Sequence, residues 1–432
     1  MQPFPGIDDT LADASRQIQN RRASCTDIVR RCLDRIDTNE ADIRAWVAVD
    51  RDGALEQAAR LDAELAAGSS RSPLHGAPIG IKDIVDVAGF TTGAGSEWWS
   101  SQPPRTTDAT LVARLRAAGT VILGKTVTTQ FACFDPPPTR NPWNLDRTPA
   151  GSSSGSGAAV AAGHCLAAIG SQTGGSITRP AAFCGIAGCK PSLHRIPIDG
   201  VVPIAKSLDH PGPMARTVED LTLMMSVLLP DFQAADPLTS PPILGQIRGF
   251  SEDRMDAGMR EALEKTLEML AMAGAQVEDL GHVCDFSELL VHHRRVMAVE
   301  GAEYHRAAFA SRRDDYLPCA ASLIEAGLAE SGVDYVASKN HQSALSARLE
   351  QVVSRVDAVL TPAATGSAPD TSTTGDPCMN APWSYTGLPT VSFPVGLSDD
   401  GLPLSVQLTG KRNREASLLT VAAWCEAVVH SR

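Results

Sequence analysis

The chain has 432 residues, 43% of them hydrophobic in type, and carries a formal net charge of −12 with a pI near 5.3. That length supports a large core in one to three domains. The acidic balance excludes a surface built for nucleic acid, which needs a basic patch, and the short KRNR group at Lys411–Arg414 is too small to supply one.

From the N-terminus, apolar residues at helical spacing between Ala12 and Ile36, interrupted near Arg22–Cys25, predict two helices, the second capped by Ser24 or Thr26. A third helix runs over Ala54–Ala67 and ends at Gly68. The period then changes, and Pro73–Asp86 reads as a short buried strand with Lys82 set between Ile81 and Asp83-Ile84. An ammonium in an apolar strand costs heavily unless it is paired or loses its proton. Asp83 and Asp86 are candidate partners, although strand alternation sends Asp83 to the opposite face. The residues alone leave the salt bridge and the neutral base equally open.

Leu111–Ala118 reads as a helix and Thr120–Leu123 as a strand. Across them Gly119–Thr126, GTVILGKT, fits the P-loop spacing. The fit is rejected because the four residues that should form the phosphate loop are themselves a strand. Gly151–Gly155, GSSSG, likewise fits the nucleophile-elbow pattern, but the polar, proline-rich RNPWNLDRTPA precedes it where a hydrophobic strand is required. An α/β-hydrolase is therefore excluded.

Gly155–Gly163 is a tightly packed small-residue helix, Leu166–Ser171 a strand, and Thr178–Ala182 a return into the core. Met255–Gln351 has helical patterning, and within it Cys284, His292, His293 and His305 read as surface or core residues rather than ligands. Asp357–Pro362 and Pro389–Val395 are late strands, Gly366–Asp376 is a flexible loop, and Glu415–Val429 is a terminal helix. This mixture fixes the α/β class. No window of eighteen uninterrupted apolar residues occurs, and Met1–Asp9 lacks the basic start and apolar stretch of a leader, so the expected compartment is the cytoplasm with no membrane partner. The ten cysteines show no CxxC and no Cys/His metal spacing, so buried thiols are expected and no metal site.

Two glycine-serine turns, at Gly151–Gly155 and Thr173–Ser176, flank the small-residue helix. Such turns present backbone N–H groups that can stabilise an oxyanion. A serine nucleophile also needs a base, and no His/Asp pair is marked by a motif; serine-lysine variants are chemically sound because burial lowers a lysine pKa.

The run AGSSSGSGAAVAAG at 150–163, followed by GSQTGGSITRPAAFCGIAGCKPS at 170–192, resembles the amidase signature family. The resemblance extends to PLHGAPIGIKDIVDVAG, TLVARLRAAGTVILGKT, SLDHPGPMARTVEDL and TGLPTVSFPVGLSDDGLPLSVQLTG, and is vaguest over Pro230–Val356. It implies one α/β domain with a mixed sheet between helical layers: N-terminal helices at 1–70, a catalytic core at 71–229 with the signature at 150–182, a variable helical region at 230–356, and the rest of the core at 357–432. It places the nucleophile at Ser176, the bridging serine at Ser152 after a cis Gly151–Ser152 bond, and the base at Lys82. Backbone N–H groups of Thr173, Gly174, Gly175 and Ser176 would form the oxyanion hole, with Gly151 and Ser153 in support and no metal or cofactor. Phe131 and Gln172 are pocket candidates, a core role for Phe131 being equally open.

Three departures from the family pattern stand out: Gln172 for the usual Asp, Thr178 for the usual Arg with Arg179 one position later, and Gln130 where Glu is frequent. The implied activity is a serine amidohydrolase acting on a small-molecule amide, with aryl amide, ester and carbamate left open. The alternative is a glutamine-dependent amidotransferase component of the A type, working with partner proteins on charged tRNA. A silent scaffold is disfavoured because Lys82, Ser152 and Ser176 are all retained. A homodimer is left open.

Overall fold

A computed structural model describes residues 9–431. Within them the strands are β1 (Trp46–Val49), β2 (Pro78–Lys82), β3 (Val121–Thr126), β4 (Ala167–Gln172), β5 (Ala187–Lys190), β6 (His210–Ala215), β7 (Ile243–Arg248), β8 (Gln276–His282), β9 (Ala358–Pro362), β10 (Thr390–Leu397) and β11 (Pro403–Thr409). All join one sheet in the order β1-β3-β2-β4-β6-β5-β10-β11-β9-β7-β8. The sheet is mixed: β3, β2 and β4 run parallel, as do β9, β7 and β8, while the intervening pairs are antiparallel. Helices cover it, and the chain is a single α/β domain, as expected.

The expected helices and central strands are present within a few residues. Ser24, not Thr26, caps Cys25–Ile43: its hydroxyl accepts from the Asp27 N–H, and Asp27 reciprocates on the Ser24 N–H. β3 continues through Lys125, so the lysine of the false P-loop lies on the strand itself. One segment differs from the reading: β8 lies inside the stretch expected to be helical. It is an outer strand with mostly exposed residues, and it lacks the apolar alternation that marks a half-buried strand. The short edge strand β1 escaped for the same reason. The loop at 366–376 has no helix or strand, yet it buries Ala368 and Thr374 and pairs through Asp370 with Arg147.

What matters for the site is the centre of the sheet. β2 and β4 are parallel neighbours, Ile81 opposite Ile169, and both end on the same edge. β2 ends at Lys82, and β4 ends at Gln172, directly before the second glycine-serine turn. Loops beyond the carboxyl ends of parallel strands are where α/β sheets gather their chemistry.

Candidate active site

Lys82 is fully buried, and its Nζ lies 2.6 Å from Ser152 Oγ and 2.8 Å from Ser171 Oγ. Burial pushes its pKa well below the ordinary lysine value, against a smaller upward pull from the Asp209 carboxylate. Neither candidate ion-pair partner reaches it. Asp83 points the other way, as alternation required, and pairs with Lys125 at 2.8 Å with both side chains 1% exposed. Asp86 pairs with Arg105 at 3.0 Å. Lys82 thus faces two hydroxyls in an apolar setting that favours the neutral amine.

Ser152 follows a cis peptide bond from Gly151. A Cβ on Gly151 would sit 2.7 Å from Thr374 Cγ2, so only glycine fits beneath the loop at 366–376. The Ser153 hydroxyl accepts from the Ser171 N–H and donates to the Ser171 carbonyl, both at 3.2 Å. Ser153 therefore fixes Ser171, the second hydroxyl on Lys82. Sequence reasoning missed Ser171: it stands inside the signature segment GSQTGGS, but its place beside Lys82 follows from the pairing of β2 with β4.

The turn Thr173–Ser176 lines one cavity together with Ser152, Cys133 and Phe134. It is held from behind at three points. The Thr173 hydroxyl donates to Asp209 Oδ1 at 2.6 Å, His293 Nε2 donates to the Thr173 carbonyl at 2.9 Å, and the Ser384 hydroxyl donates to the Gly174 carbonyl at 2.7 Å. Asp209, which also accepts from the Ile204 and Ala205 N–H groups, is pushed up by burial to about 7. His293 is a core residue, and its proximity to the turn was not legible in sequence. A Cβ on Gly175 would lie 2.6 Å from Asn380 Oδ1. Among the described residues the N–H groups of Gly174, Gly175 and Ser176 make no hydrogen bond, and no bond joins the Ser176 hydroxyl to Ser152. The turn thus presents unspent donors and a free hydroxyl to the cavity.

Neither pocket candidate lines this cavity. Phe131 packs instead in an aromatic cluster with ring centroids 5.4 Å from Trp99, 4.5 Å from His305 and 5.1 Å from Tyr316, and Phe134 faces the cavity in its place. Gln172 is turned into the core. Its Oε1 accepts from the Ile177 N–H at 2.9 Å, the Thr178 N–H at 3.0 Å and the Thr178 hydroxyl at 3.1 Å, and its Nε2 donates to Ser384 at 3.1 Å. The two departures beside Ser176 are therefore partners: an amide and a hydroxyl stand where the family pattern puts a carboxylate and a guanidinium. Gln130 bridges to the Asp315 carbonyl and the Leu317 N–H, a structural tie.

Arg179 is 1% exposed and lines the cavity. Its Nη2 donates to the Gly151 carbonyl at 2.9 Å, whereas Nε and Nη1 are buried with no partner among the described residues. Burial lowers its pKa to about 10, so the guanidinium is charged at neutral pH. The one cluster of metal-ligand type among the described residues, Glu288, His292 and His341, does not line this cavity.

A mixed sheet that delivers a buried lysine and two serine-rich turns to one edge is the frame of an amidase-type hydrolase. The Amidase family model matches residues 27–419, and the chain belongs to the amidase signature family. It is 31% identical to the A component of the glutamyl-tRNA(Gln) amidotransferase of Carboxydothermus hydrogenoformans over 95% of each chain. Among solved structures it is similar to an amidase, at 30% identity and a TM-score of 0.91 over 97% of this chain and 99% of the other. It is also similar to the native peptide amidase of Stenotrophomonas maltophilia, at 27% identity and a TM-score of 0.84 over 100% and 99% of the two chains.

Proposed function

We propose that the chain is a serine amidohydrolase that cleaves small-molecule amides through an acyl-enzyme. The observation that carries this reading is the buried Lys82 with its amine 2.6 Å from Ser152. Neutral Lys82 takes the Ser152 proton as Ser152 takes the proton of Ser176, and Ser176 Oγ bonds to the amide carbon. The carbonyl oxygen becomes an oxyanion held by N–H groups of the Thr173–Ser176 turn, each worth about 3–4 kcal/mol in comparable sites. The proton returns through Ser152 to the leaving nitrogen as the C–N bond breaks. Water, deprotonated along the same relay, then cleaves the ester to Ser176 and releases the acid. The apo relay is open at its last link, Ser152 to Ser176, which substrate would close; such bonds tighten in the bound complex.

Arg179 narrows the substrate. A charged guanidinium lining the cavity beside Ser176 suits an acyl group that carries a carboxylate, the partner with which arginine makes charge-assisted hydrogen bonds. A second reading, an ammonia-supplying component of a larger complex, is favoured by the likeness to the Carboxydothermus amidotransferase. One experiment separates them: the purified chain alone is given a panel of amides with and without a carboxylate on the acyl side, plus glutamine, and ammonia release is measured. Turnover of carboxylated amides, with KM raised about tenfold or more in Arg179→Lys and little change for uncharged amides, supports the hydrolase reading. Turnover of glutamine only, and only once partner proteins are added, would favour the second.

A further inference from the structure

Glu288 and His292 lie one turn apart on the same face of the helix Phe286–Arg312, and the helix Gly332–Val353 brings His341 against them. The two imidazoles stack with centroids 4.2 Å apart and planes at 22°. One ring nitrogen from each and one Glu288 oxygen all lie within 4.8 Å of one another. His292 Nε2 is 3.8 Å from Glu288 Oε1.

Surrounding hydrogen bonds decide which ring nitrogens carry protons. The Ser338 hydroxyl donates to the Asp334 carbonyl at 3.0 Å, so its only proton is spent. His292 Nδ1, 2.8 Å from that oxygen, must therefore be the donor. The Tyr385 hydroxyl donates to the Ser338 carbonyl at 2.8 Å, so His341 Nδ1, 3.0 Å away, must donate as well. Both rings are thus held as Nδ1–H tautomers, and each keeps an Nε2 lone pair. A hydrogen bond from the far nitrogen is the device that orients metal-binding histidines, and two imidazoles with one carboxylate is a ligand set for a divalent transition metal.

We propose that Glu288, His292 and His341 form a binding site for a divalent transition-metal ion, zinc in particular, with water completing the shell. Stacked rings aim their Nε2 lone pairs along nearly parallel lines, so binding requires one imidazole to turn out of the stack and the donors to close to about 3.3 Å, a rearrangement open to the exposed Glu288 and to half-buried rings on two separate helices. The ion would staple those helices together outside the cavity. It would also stiffen the Thr173–Ser176 turn, because the next residue, His293, holds the Thr173 carbonyl, while Tyr385 adjoins Ser384, which holds the Gly174 carbonyl.

The test is titration of chelator-treated protein with Zn2+ by calorimetry, with melting temperature as a second readout and Co2+ absorption as a ligand probe. Expected are one bound ion per chain, a rise in melting temperature, and Co2+ bands of nitrogen-oxygen coordination. Affinity should fall about 10-fold or more in Glu288→Gln, a surface change that leaves packing intact, and further in His292→Ala and His341→Ala. Absence of binding, unchanged affinity in all three variants, or thiolate bands from a cysteine such as Cys284 or Cys319 would each overturn the proposal.

Discussion

The Lys82 side chain is where burial and chemistry meet most directly. Its folded-state pKa lies well below 10.5 because the ammonium has been taken out of water. Between the folded and unfolded pKa values the unfolded chain binds the extra proton, so this group destabilises the fold there, and the penalty fades as pH rises through 10.5. Lys82→Met should remove that penalty, leaving stability unchanged or raised by up to about 2 kcal/mol at neutral pH, while lowering kcat by about 1,000-fold or more. Denaturant melts and steady-state rates check the two halves separately. In the wild type kcat/KM should rise with pH through an acid limb set by the lowered lysine pKa, because only the neutral amine is a base. Motif order pointed to Lys82, Ser152 and Ser176, of which the structure sets Lys82 Nζ beside Ser152 Oγ, and alternation sent Asp83 away from Lys82. Ser171, Asp209 and His293 were illegible because their roles depend on what the sheet and helices bring beside them. The choice between pocket and core for Phe131 was illegible too, because its neighbours Trp99, His305 and Tyr316 are distant in sequence.

Among the elements, the helix Thr178–Cys184 shows how a changed residue pair can preserve a junction. Gln172, at the end of β4, supplies one oxygen to three donors at the start of this helix and one N–H to Ser384. The amide thereby fixes where Ser176 stands relative to β4. Gln172→Leu would leave buried donors unpaired, and it should cost about 2–4 kcal/mol in chemical denaturation while reducing kcat more than it changes KM. The central strands β2, β3, β4 and β10 and the amphipathic helices were readable from periodicity, whereas β5, β6 and β11, equally central, were not read as strands, β6 carrying two prolines and a glycine in HPGPMA. The outer strands β1 and β8 were not, since exposed residues carry no burial pattern and pairing with a neighbour, not propensity, makes them strands.

For the whole molecule, the sheet acts as a rigid frame on which two parallel strand ends set the spacing of Lys82 and the Thr173–Ser176 turn. Lys125 and Asp83 tie β3 to the segment just past β2 as a fully buried ion pair. Removing one partner strands a charge in the core, so Lys125→Met should cost about 3–5 kcal/mol of global stability, read as a lowered denaturation midpoint with an unchanged slope. The α/β class was legible because strand and helix patterns intermix along the chain, and the single domain followed from the family resemblance, whereas the order of eleven strands was not legible, since the pairing of β5 with β10 and of β9 with β7 spans stretches that no local pattern connects. The account stands most directly on Ser176 as the group that carries the acyl intermediate. Intact-mass and peptide mapping after exposure to a fluorophosphonate would test it in wild type, Ser176→Ala and Lys82→Ala. One adduct on Ser176, absent from Ser176→Ala and formed far more slowly without Lys82, is the predicted result; an unlabelled wild type, or a label on another serine that survives Ser176→Ala, would contradict it.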